Sequence, residues 1–75
     1  MPHITVKIWP GKAEKEKQAL AEAVTQDVMK HLGASADSIS VAIEEIESSK
    51  WEDTVYVPEI APAMDKLYKK PGYKM

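Results

Sequence analysis

The second residue of the chain is a proline that runs, without a linker, into an alternating stretch, MPHITVKIW. Its chemical interest lies in one nitrogen. With Met1 attached, the Pro2 nitrogen is a tertiary amide with no basic lone pair. With Met1 removed it becomes a secondary α-amine, a class of group whose reference pKa of about 7.7 to 8.0 is already near neutrality. An apolar pocket or nearby cations disfavour the protonated form and leave a rigid base at working pH. Such a base suits moving a proton between carbon and oxygen beside a carbonyl. The ordinary alternative is a proline tolerated at the first position of a strand.

Other constellations carry less chemistry. His3 and His31 lie far apart, with no H-x-x-x-H spacing and no cysteine in the chain, so no metal site is expected. Glu44 and Glu45 are neighbours on an expected strand and point to opposite faces, which prevents them from acting as a carboxylate pair. Lys66, Lys69, Lys70 and Lys74 cluster near the C-terminus, where a solvated face complementing a helix dipole is the simplest reading. No spacing supports a Ser/His/Asp set, and glycines 11, 33 and 72 are isolated, so there is no phosphate-cradling loop.

The elements that must position Pro2 follow from periodicity. Ile4, Val6 and Ile8 alternate with His3, Thr5 and Lys7, the pattern of a strand with one apolar face, and Pro10-Gly11 ends it. Leu20, Val24, Val28 and Leu32 recur every four residues with Ala21, Ala23 and Met29 beside them, which predicts an amphipathic helix over 13–32. Gly33 stands where a left-handed cap belongs, and Lys30 and His31 occupy the last turn. A second strand is expected over 38–46, with Ile39, Val41 and Ile43 on one face and Ser40, Ala42 and Glu44 on the other. Strand, helix and strand make a β-α-β unit of the α/β class, with parallel strands and a right-handed crossover. Beyond it, Ser49 and Glu52 have capping-box spacing for a helical turn over 50–55, in competition with a strand favoured by Val55, Tyr56 and Val57. Pro58 and Pro62 should break any long helix, leaving a terminal one over 62–70 with Met64, Leu67 and Tyr68 facing inward.

Composition bounds the rest. At 75 residues the chain is read as one domain, 1–75, too small to bury more than about 60% of its unfolded surface. Two parallel strands under one helix leave both sheet edges open, so a second subunit should complete a larger sheet. A net charge of -2 gives no field for nucleic acid, and no apolar run suits a signal peptide or a membrane span, so the cytoplasm is the expected compartment. All ten basic residues are lysines. Without arginine there is no bidentate clamp for a carboxylate, only point charges.

MPHITVKIWPGK at the start, the helix ending in HLG, the strand SISVAIEEI and the closing EIAPAMDKLYKKPGY resemble the 4-oxalocrotonate tautomerase family, and within it the phenylpyruvate-tautomerase-like branch. The resemblance covers nearly the whole chain. It implies two β-α-β protomers joined into a four-stranded sheet, no metal or organic cofactor, and an N-terminal proline, here Pro2, acting as general base in keto-enol conversion of a 2-oxo acid. Lys12 falls where the family has its first substrate-binding arginine and Ser40 where it has the second. Trp51 falls at an aromatic that keeps the pocket apolar. The missing arginine pair argues against a dicarboxylate and for a 2-oxo monocarboxylate with an apolar tail, such as phenylpyruvate in its enol form. A homodimer is favoured over a hexamer, because the longer C-terminal segment can cap the surface that shorter members use to build hexamers. The alternative is a non-catalytic small oligomer that binds a ligand or a protein.

Overall fold

A computed structural model describes residues 1–75, and the chain divides into two compact units, Met1–Glu45 and Ile46–Met75. The first is the β-α-β unit. Strand β1 is His3–Ile8, helix α1 is Glu14–Leu32 and strand β2 is Ser40–Glu45. The strands pair in parallel with His3 opposite Ser40 and Ile8 opposite Glu45, so the alternation of the two sequences coincides. Ile4, Val6, Val41 and Ile43 share one face with α1, while His3, Thr5, Lys7, Ser40, Ala42 and Glu44 share the other.

Helix α1 starts and stops where the expected signals stand. Glu16 reaches back to accept the Ala13 backbone N–H at 2.9 Å, which satisfies one of the donors a helix start leaves without partners. Gly33 caps the far end at φ 68°, ψ 20°, with its N–H bonded to the Met29 carbonyl at 3.0 Å. The helix is rotated from the expected stripe. Lys17, Ala21, Val24 and Val28 are half-buried, whereas Leu20 and Leu32 are 40% and 70% exposed. Lys17 accounts for part of this rotation, since its Nζ bonds Glu14 at 3.2 Å and Glu45 of β2 at 3.3 Å. The strand expected over 38–46 is shorter, because Ala36–Ser38 is a 3-10 turn in which the Ser38 hydroxyl donates to the Ser35 carbonyl at 2.8 Å.

The second unit departs further from expectation. A 3-10 turn, Ser48–Lys50, leads into a wide π-helical turn, Glu52–Ile60, and then a 3-10 turn, Ala61–Lys66. The Ser49/Glu52 capping box does not form; the first turn is capped at Glu47 without a side-chain bond. Val55, Tyr56 and Val57 are helical rather than extended. Pro58 lies inside the π-helical turn instead of ending it. The steric clash of proline with the carbonyl four residues back is a property of α-helical winding, and i→i+5 winding moves that carbonyl. The helix expected over 62–70 ends at Lys66, since Leu67 is extended at φ -70°, ψ 131°. Met64 and Leu67 remain half-buried, but Tyr68 leaves the helical path and is fully exposed.

The only buried side chains are Val55 and Tyr56, both in the second unit. The β-α-β unit has none.

Two outcomes follow. Gly33→Ala puts a Cβ on a left-handed residue and should cost about 1 kcal/mol in urea unfolding at fixed protein concentration, with Gly72→Ala, which has no positive φ, close to neutral. Hydrogen bonds with Glu14, then Glu45, raise the Lys17 ammonium above its usual value. The folded state therefore favours the charged form, and the contribution is complete below the unfolded lysine value of about 10.4 and lost as pH rises through the folded one. The melting-temperature difference between wild type and Lys17→Met should persist at pH 7 to 9 and close above that range.

Candidate active site

Pro2 lies immediately ahead of β1 and is half-buried. Its carbonyl oxygen accepts the Ser40 N–H at 3.2 Å, one ladder bond beyond the His3–Ser40 pair. That bond fixes the proline against the start of β2. Met1, by contrast, is fully exposed and makes no strand contact of its own.

The register brings a polar cluster to this end of the sheet. His3 Nδ1 and Ser40 Oγ are 2.6 Å apart, and His3 Nε2 lies 3.4 Å from Thr5 Oγ1. All three side chains are on the face away from α1 and are exposed. From the residues alone His3 is weighed only as a metal ligand, and this grouping is not apparent. A signal was present: His3 and Ser40 each occupy the polar phase at the start of their strands, and a parallel pairing begun in step sets them opposite each other.

Lys12 sits elsewhere. It lines a cleft of about 530 Å³ with Ile8, Trp9, Pro10, Leu20 and neighbouring α1 residues, at the opposite end of β1 from Pro2. Six strand residues at about 3.3 Å each put that cleft roughly 20 Å from the proline. Within one chain, Pro2 and Ser40 are together and Lys12 is apart from both.

Trp51 belongs to the second unit. It precedes the π-helical turn, is half-buried, and its indole Nε1–H donates to the Tyr73 hydroxyl at 3.1 Å. The Tyr73 ring in turn lies 5.8 Å from that of Tyr56, tilted by 40°. With its one polar hydrogen satisfied, Trp51 offers only apolar ring surface. No group of three or more His, Cys, Asp or Glu is arranged to hold a metal ion.

Comparison with known proteins fits this arrangement. The family model described as "Tautomerase enzyme" matches residues 2–52, beginning at Pro2. Curated relatives named Tautomerase PptA are 50% identical over 74 residues in Pectobacterium carotovorum and 45% identical over 76 residues in Cronobacter sakazakii, covering 97% and 100% of both chains. Among solved structures, YwhB, described as a homologue of 4-oxalocrotonate tautomerase, is 41% identical with a TM-score of 0.60 over 61% of this chain and 75% of its own. TomN, a 4-oxalocrotonate tautomerase homologue in tomaymycin biosynthesis, is 32% identical with a TM-score of 0.65 over 67% of this chain and 77% of its own. No helix is long and apolar enough to cross a membrane. A β-α-β unit with parallel strands, opened by Pro2 and matched from that residue onward, belongs to the tautomerase family.

Proposed function

We propose that the chain, as a single domain over 1–75, is a cofactor-independent tautomerase of the cytoplasm that converts the enol of a 2-oxo monocarboxylate, such as phenylpyruvate, to its keto form. Pro2, freed by removal of Met1, is the general base. The observation that carries this reading is the ladder bond from Ser40 N–H to the Pro2 carbonyl, which holds a half-buried proline beneath a fully exposed methionine. A small residue at position two and an accessible Met1 suit trimming by an aminopeptidase.

In the proposed reaction, unprotonated Pro2 accepts the enol hydroxyl proton and returns a proton to C3. Between these steps the oxygen carries negative charge, which backbone N–H groups, a water molecule or Lys12 stabilise. Apolar surface such as that of Trp51 disfavours the protonated amine and suits an aromatic substrate tail. Because Lys12 is roughly 20 Å from Pro2 along its own strand, it can reach the site only from another chain. A two-fold axis perpendicular to the sheet provides this, since it sets the partner's strands antiparallel and brings each Pro2 toward the other chain's Ile8–Lys12 end. The exposed Leu20 and Leu32 and the absence of any buried side chain in the β-α-β unit support such a homodimer.

Two experiments test this. In protein shown by intact mass to lack Met1, ultraviolet assay of phenylenolpyruvate ketonisation should find Pro2→Ala reduced by at least about 10²-fold. Undiminished activity in that variant defeats the reading. Mixing Pro2→Ala with Lys12→Gln, each weak alone, should restore roughly a quarter of wild-type sites by random pairing across a two-fold interface. No recovery excludes a site shared between chains.

A further inference from the structure

The chain has no arginine, yet a 2-oxo acid presents a carboxylate one bond from its reacting carbonyl. The group that meets this anion must lie close to Pro2, and within one protomer Lys12 does not. The polar cluster at the start of the two strands does. Ser40 is joined to Pro2 by a single ladder bond, and its hydroxyl is 2.6 Å from His3 Nδ1.

Hydrogen-bond inventory gives this pair three states. In one of them the neutral ring carries its hydrogen on Nδ1, donates to Ser40 Oγ and accepts from the Thr5 hydroxyl at Nε2, which already frees the Ser40 hydroxyl hydrogen. A neutral imidazole donates from one nitrogen and accepts at the other. With its hydrogen on Nε2, directed at Thr5 Oγ1 3.4 Å away, His3 takes the Ser40 hydroxyl hydrogen at Nδ1 and keeps it from any ligand. An imidazolium donates from both nitrogens. Nδ1–H then necessarily donates to Ser40, the hydroxyl is the acceptor, and its own hydrogen points away from the ring with a positive charge behind it. A hydroxyl so arranged forms the short, charge-assisted bond that carboxylates prefer.

We propose that Ser40 and His3 are the carboxylate-reading element of the site, with His3 Nδ1–H donating to Ser40 so that the hydroxyl's own hydrogen turns outward to the anion, and with protonation of the ring locking that arrangement and placing a positive charge behind it. This rests on the tautomerase reading and divides its tasks. Ser40 and His3 hold the substrate carboxylate, Thr5 fixes the ring, and Lys12 of the second chain is left to meet the oxygen where charge develops. The other charged groups on this face are Lys7 and Glu44, in register with each other four rungs along, and the α-amine itself. The charges of α1 lie across the sheet on its other face.

The test is a binding measurement on Met1-free protein with 3-phenylpropanoate and its neutral amide as probes. Nitrogen-15 imidazole spectra should show the His3 titration midpoint raised by about one pH unit at saturating 3-phenylpropanoate, which corresponds to roughly tenfold tighter binding to the protonated ring. The amide should leave it in place, and His31, in the last turn of α1 and off the strand face that carries His3, should follow neither probe. His3→Gln and Ser40→Ala should each weaken 3-phenylpropanoate at pH 6 by roughly tenfold while leaving the amide unchanged, and Ser40→Thr should restore the loss. A His3 midpoint indifferent to the carboxylate, a His3→Gln variant that still prefers acid over amide, or no binding of 3-phenylpropanoate overturns the proposal. The wild-type titration stands even where a variant fails to fold. Because these readouts follow binding and not turnover, their failure is distinct from failure of the Pro2→Ala comparison.

Discussion

The six-rung parallel pairing of β1 with β2 is the constraint on which the site depends. Two strands in one register decide which residue stands beside Pro2, and here it is Ser40. A slip of one residue would carry every side chain of β2 to the opposite face, moving Val41 and Ile43 out to solvent and removing Ser40 from His3. The register is held from the helix side as well. Lys17 on α1 reaches Glu45 at the last rung, while Ile4, Val6, Val41 and Ile43 lie against the helix. The base proposed at Pro2 would need a fixed approach to its substrate, and the first rung of the sheet anchors that residue.

Much of the β-α-β unit was legible in the residues. The alternation of Ile4, Val6 and Ile8, the helical spacing over 13–32 and Gly33 after it are local signals, and the structure follows them in where the elements lie, though not in the helix face that turns inward. What the residues did not disclose depends on tertiary competition. Leu20 and Val24 are equally apolar, and which of them turns inward depends on the whole packed face, to which the reach of Lys17 to a carboxylate on β2 belongs. Ser38 reads as strand until its hydroxyl finds the carbonyl of Ser35 and tightens a turn. In the second unit, Pro58 predicts a break under α-helical geometry, but the chain winds more widely and continues.

The site was legible in one respect and hidden in another. Pro2 stands out from sequence because its chemistry depends on position in the chain. His3 does not stand out, because its significance comes from a hydroxyl 37 residues away that only strand register delivers. Lys12 is a candidate because it falls where the resembled family has its first substrate-binding arginine, and within its own chain it lies at the opposite end of β1 from Pro2. The indole N–H of Trp51 finds its partner in the hydroxyl of Tyr73 near the C-terminus, a pairing no local pattern announces.

Val55 and Tyr56, the only fully sheltered side chains, both lie outside the half that carries Pro2. That half reaches the end of its own folding with its apolar surface still half wet. In the homodimer proposed for it, stability would be tied by mass action to how much of the chain is present, as for any protein whose folded form gains from association. Gene dosage and expression level would then become structural variables, and a cell making too little of the chain would lose folded molecules as well as catalytic capacity.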